Sequence, residues 1–294
     1  MNDTQATANP LGYEKIGKLL TSYAVPSTIA LIINSLYNMV DQIFIGQGVG
    51  FLGNGATNII APIATITIAI ATLFGDGLAA FFSLSLGKGE GEKAAKGLGT
   101  SIMFGSIFGI IWTALAFAFL KPLCLIFGAT ENILPYALDY GRIIVLGFTF
   151  QIIGNTINSA IRTDGSPRYA MLAMMIGAIL NLILDPIFIF VFHWGVEGAA
   201  IATVASQLFG LLFNIAYLFR LKTIKLSRQS FTLDIRTAGR IASLGFASGA
   251  NNLTSTVVAF VSNNLMTKYG ALSPYGADIP LTTFCLCMKV SMVA

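Results

Sequence analysis

From Leu19 onward the chain alternates long apolar stretches with short breaks rich in glycine and polar residues. The stretches fall at about 19–46, 57–86, 97–120, 133–160, 168–192, 197–220 and 240–267, and an eighth opens near 279. Each approaches or exceeds the roughly 20 mostly apolar residues that carry a helix across a bilayer, and none has the alternating segments of about 10 residues that build a membrane barrel. Because backbone polar groups cannot be left facing lipid, the prediction is all-α: a polytopic membrane helix bundle. The breaks GQGVGFLGNG (46–55), GKGEGEKAAKG (87–97) and RTDGSPR (162–168) are turn-forming and too short for an extramembrane domain.

Composition agrees with this pattern, at 55% hydrophobic and 10% charged over 294 residues. Cys124, Cys285 and Cys287 are scattered among apolar residues and propose neither a disulfide framework nor a metal site. Residues 1–18 lack a basic start, a short apolar core and a cleavage site, and are read as a polar tail.

Charge sets orientation. Lys15, Lys18, Lys88, Lys93, Lys96, Arg162, Arg168 and the basic residues of 220–240 all fall at one set of helix ends, whereas the opposite loops carry Lys121 and Lys268. Short cytoplasmic loops are enriched in Lys and Arg, so the amino terminus is expected in the cytoplasm. The net charge of +4 is therefore a topology signal. Its dispersal over separate loops, without a recognition fold, argues against nucleic-acid binding.

Sliding the chain by 222 residues lays Lys18 on Arg240, Leu36 on Val258, Asp41 on Asn263 and Gly48 on Gly270. Duplicated six-helix units are a common way to build transporters. The expected organisation is a tail (1–18), a six-helix N-lobe (19–220), a cytoplasmic linker (221–239) and the start of a C-lobe (240–294), with twelve spans and about 440 residues expected for a complete duplication. On this reading the chain is truncated in the second lobe.

Two carboxylates lie within the apolar stretches. Asp185 interrupts the run from Met171 to Phe192, and Asp41 stands in SLYNMVDQIFIG. An ionisable group at membrane depth is a functional-site candidate, since burial penalises its charge and it needs a partner or a proton. Counted from the helix ends they lie about 7 and 12 Å below the outer surface. Asn181 and Asp185 share a helix face, as do Ala199 and Thr203, while Asn34, Asn38 and Asp41 form a polar stripe. These groups offer the hard oxygen ligands a small cation prefers. Pro26 and Pro186 are expected to kink their helices. Asp139 and Arg142 are expected to pair, three residues apart. Gln151, Asn155 and Asn158 are read either as cavity-facing or as helix-to-helix hydrogen-bond partners. Asn34, Tyr37, Asn38, Tyr140 and Gln207 are further candidates for cavity lining.

The runs YNMVDQIFIGQGVG (37–50), SLGKGEGEKAAKGLGT (85–100), INSAIRTDGSPRYAM (157–171), NLILDPIFIF (181–190) and GVEGAAIATVASQ (195–207) resemble the multidrug and toxic compound extrusion (MATE) family, in particular its MepA-like branch. The resemblance extends in order from about Tyr13 onward. It implies a cation-coupled antiporter of two six-helix lobes, located in a bacterial cell membrane, that exchanges H⁺ or Na⁺ for drug-like, often cationic, molecules. It implies no enzyme activity, no cofactor beyond the coupling ion, and a monomer in the lipid bilayer. It also places a cation site at Asp41, Asn181, Asp185, Ala199 and Thr203, with Na⁺ a candidate at Asp41, Asn181, Asp185 and Thr203, and puts Tyr140 close by.

Two other functions compete with this one. An intramembrane aspartyl protease also needs two acids in spans, but Leu73 occupies the first glycine of the GxGD motif that GDG (75–77) suggests. A lipid-linked oligosaccharide flippase of the wider superfamily calls for cationic residues along its cavity to hold phosphates, and these spans nearly lack them.

Overall fold

A computed structural model describes residues 15–291; residues 1–14 of the expected tail lie outside the described residues, as do the side chains of Pro26, Asn34 and Cys285. The described residues contain no strand. The helices are α1 (Ile16–Gly48), α2 (Phe51–Gly87), α3 (Gly91–Ala118), a short α4 (Leu120–Ile126), α5 (Leu134–Thr163), α6 (Pro167–Pro186), α7 (Gly195–Leu218), α8 (Ile235–Gly270) and α9 (Asp278–Ser291). Five segments among them, α2, α3, α5, α6 extended to Val191, and α7, are long and apolar enough to cross a membrane. At 36 residues α8 has the length, but Asn251, Asn252, Thr254, Ser255, Asn263 and Asn264 make it more polar.

Local chemistry explains the helix ends. Pro135 and Pro167 occupy first-turn positions, where the missing N–H costs nothing. Asp234 caps α8, accepting from the backbone N–H groups of Arg236 at 3.0 Å and Thr237 at 3.3 Å. The Lys96 ammonium paired with it, helped by Thr237, holds the Asp234 carboxyl well below the usual carboxylate range. Among the described residues Asp139 and Arg142 do not form the expected ion pair; Arg142 is exposed, where holding two side chains together gains little.

Where a kink was expected at Pro186, the chain changes helical register: a π turn, Ile187–Val191, follows directly. Proline supplies no donor to the turn before it, and wider bonds such as Phe192 N–H to the Ile187 carbonyl, at 3.0 Å, continue the element. The chain then reverses through His193, at φ 56°, and Trp194 packs 5.3 Å from Phe188 and 5.2 Å from Phe192.

α2 is the central helix, with α5 and α8 its principal neighbours. The main core joins Ile45 of α1, Ile59, Ile60 and Ile63 of α2, Val145 and Phe148 of α5, and Ala199 and Ala200 of α7. A second cluster, at the end carrying the basic residues, joins Leu78, Phe81 and Phe82 to Leu98, Ile224 and Ile241. Phe108, Ile110, Ile111 and Phe117 of α3, and Phe246, Val257 and Val258 of α8, are exposed.

In the half of α2 nearer the basic end, the α2 and α8 backbones touch. A methyl at Gly77 would fall on the Ile241 carbonyl oxygen, and one at Gly245 on that of Leu73. The segment 221–234 is anchored by Asp164, the residue that ends α5, which is 1% exposed. Its carboxylate accepts from Tyr217 Oη and Lys222 N at 2.8 Å, from Thr223 N at 2.9 Å, and from the Thr223 hydroxyl.

Candidate functional site

Asp41 on α1 and Asp185 at the end of α6 come together because these two helices pack along each other. Their side chains are close enough to interact directly. Asp185 is completely buried and Asp41 is 9% exposed. The Tyr37 and Tyr140 phenols lie within the field of both acids, so two tyrosines from α1 and α5 close the cluster.

The Asn181 amide nitrogen bridges α6 to α7, donating to Asp185 Oδ1 at 3.2 Å and to Thr203 Oγ1 at 3.3 Å. Asn181 Oδ1 and Asp185 Oδ2 are buried with no hydrogen-bond partner. Orphaned oxygens at this depth are costly unless something else meets them. Ala199 is fully buried on the same helix as Thr203. No three His, Cys, Asp or Glu side chains converge among the described residues. What converges is a carboxylate pair with amide and hydroxyl oxygens, a donor set suited to a hard cation rather than a transition metal.

Sequence reading missed Gln42. Its Nε2 donates to Asp41 Oδ2 at 3.0 Å, and its Oε1 accepts from the Thr57 hydroxyl at 2.9 Å, which ties the acid to α2. Its neighbour in the sequence was the only signal.

Adjoining Asn181 is a cavity of about 230 Å³ lined by α1, α5, α6 and α7. Tyr37, Gln151, Asn155 and Gln207 are among its lining residues; Asn38 and Tyr140 are not, and Tyr140 belongs to the main core. The Asn34 side chain lies outside the described residues. Asn158 both lines the cavity and donates to the Ala170 carbonyl at 3.0 Å, so its two readings hold together. Ser206, Gly210 and Asn214 were not singled out, although with Thr203 and Gln207 they recur at helical spacing along α7. Gly177 on α6 and Gly210 on α7 also line it. No lysine or arginine lines it. A wider cleft of about 990 Å³ lies between the start of α3 and residues 223–230, and shares no residue with the acid cluster.

Residues 26–187, which include both acids, match the MatE family model. The chain belongs to the MatE family. Among curated relatives, this MatE protein is 28% identical over 276 residues to the multidrug export protein MepA of Staphylococcus saprophyticus, covering 91% of the chain and 60% of that relative. It is 27% identical over 285 residues to an FAD transporter of Shewanella oneidensis, covering 94% of the chain and 63% of that relative. Among solved structures, the MATE multidrug transporter DinF-BH superposes with a TM-score of 0.90 at 30% identity, over 99% of this chain and 64% of that one. An inward-facing MATE transporter superposes at 0.81 with 26% identity, over 92% of this chain and 61% of that one. The chain thus spans about 60% of the length of the relatives it matches.

Proposed function

We propose that this chain carries the ion-coupling half of a multidrug efflux antiporter, which exchanges a monovalent cation, H⁺ or Na⁺, for drug-like and often cationic molecules. The observation that carries this reading is the meeting of Asp41 and Asp185 beneath the Asn181 bridge. Two carboxylates in a site closed to water repel, so the pair favours taking up a proton or a cation held between them. Arrival of that ion removes the repulsion and relaxes α1 against α6. The cavity beside Asn181 shares Tyr37, Asn181 and Thr203 with the acid cluster or its bridge, so movement at the acids is felt where cargo would rest. Its walls are amides, hydroxyls and small residues, which suit a range of ligands.

The basic residues at one set of helix ends support a cytoplasmic amino terminus, with Asp41 and Asp185 toward the outer side. The lobe containing α1–α7 would then load its ion from outside, in a bacterial cell membrane. The cation-free cavity lining favours this cargo over a lipid-linked phosphate.

The test is drug accumulation in cells expressing the protein with Asp185→Asn. Export driven by an ion gradient is expected to disappear while membrane insertion persists; export equal to the parent's would refute the reading. Imposing a proton or a sodium gradient across vesicles then identifies the coupling ion.

A further inference from the structure

The two ends of the α2–α8 contact are built differently. Toward the basic end, backbone meets backbone at Gly77 and Gly245, with no side chain between them. This contact has no side-chain bond of its own to break, while the Lys96–Asp234 ion pair and the Asn252 Nδ2 bond to Thr72 Oγ1, at 3.2 Å, keep α8 attached at this end, so it can act as a pivot. At the opposite end, about 28 Å along α2 from Gly77 at Asn58, side-chain hydrogen bonds join the first seven helices to α8 and α9. Asn58 Nδ2 donates to Asn263 Oδ1 at 3.3 Å and to the Leu281 carbonyl at 3.5 Å. The Thr267 hydroxyl donates to the Gly128 carbonyl at 3.0 Å, and Asn264 Nδ2 to that of Ile126 at 2.9 Å.

The outermost tie is made to a carboxylate. Asp278, the first residue of α9, accepts from Asn132 Nδ2 at 2.8 Å and from the Thr130 hydroxyl. Thr130 and Asn132 belong to the turn between α4 and α5. Bonds to a charged acceptor are roughly twice as strong as neutral ones, and the carboxylate is further favoured by the amino-terminal end of its own helix. Unlike the glycine contact, each of these bonds can be exchanged for one to water as the ends part.

We infer that Asp278, held by Thr130 and Asn132, is the clasp that keeps α8 and α9 closed against the first seven helices at the outer end, opening about the Gly77–Gly245 contact. This clasp rests on the antiporter reading above, in which the two lobes must part. Losing the carboxylate removes two charge-assisted bonds and shifts the equilibrium toward the open form by about tenfold or more.

The reporter is Thr282→Cys, a side chain 4% exposed between α9 and α2, in a protein whose own cysteines are replaced. Its rate of reaction with a charged maleimide is measured in opened membranes. The outcome therefore depends neither on which face is outside nor on any drug being moved. Asp278→Ala is expected to raise the rate at least about fivefold, and Thr130→Val, which keeps the carboxylate and removes one donor, about twofold or more. Leu272→Cys, already exposed, is expected to react equally in every background and reports folding. Should Asp278→Ala fail to insert, Thr130→Val alone decides. An unchanged Thr282→Cys rate in each variant that gives the parent Leu272→Cys rate would overturn the clasp.

Discussion

Asn181 Nδ2 stands 3.2 Å from Asp185 Oδ1, one helical turn along α6, and the same nitrogen reaches Thr203 at 3.3 Å on α7. One amide therefore holds a buried carboxyl and links two helices. Asn181→Leu keeps the branched side-chain shape, at a larger volume, and removes the bridge. Since a hydrogen bond to a charged group contributes about 1.5–3 kcal/mol, ion-driven export is expected to fall at least about tenfold. Thr203→Val, which leaves Asp185 its donor, is expected to cost less. Initial export rates at matched expression check both.

Gly245→Val places a branched side chain where even a methyl would strike the Leu73 carbonyl oxygen. Backbone cannot yield as a flexible side chain can, so the α2–α8 contact must separate. A loss of about 1–3 kcal/mol is expected from such overpacking, read as a lower thermal midpoint in detergent. Gly87→Ala, with nothing within 4 Å, is expected to be neutral or slightly stabilising.

Asp164→Ala leaves the Tyr217 hydroxyl and the Lys222 and Thr223 N–H groups without their shared acceptor. Each buried donor so orphaned costs about 1–3 kcal/mol, although water will recover part of this near the helix ends. The segment after α7 should detach first. Trypsin is expected to cut at Lys222 and Lys225 faster than in the parent, and Asp164→Asn, which retains one acceptor oxygen, should fall between them.

Gly210→Leu fills space in the 230 Å³ cavity without touching the acids. A methyl at this position meets only the Ala173 carbonyl, at 3.7 Å, an ordinary contact. Export of bulky cationic dyes is expected to drop about tenfold or more while the thermal midpoint moves little. An equal loss of both would show a folding defect instead.

Much of the architecture was legible because membrane helices obey a strong local rule: backbone must satisfy itself wherever lipid surrounds it. The turns at 87–91 and 163–167, and the isolation of Asp41 and Asp185, follow from composition along the chain. Local irregularities were less visible. Neither the break between α3 and α4 at Phe119 nor the π turn after Pro186 has a periodic signature, since each depends on how the next element packs.

The sequence by itself determined that both acids lie in apolar helices and at similar depth, because depth along a helix is a matter of counting residues. Tertiary structure alone decided that they meet, that Gln42 donates to Asp41 Oδ2, and that Tyr140 lies within the field of the acids. The rotation of one helix about its axis relative to another is set by side-chain packing between distant segments. That information is carried jointly by α1, α2, α5, α6 and α7, and no single stretch of sequence contains it.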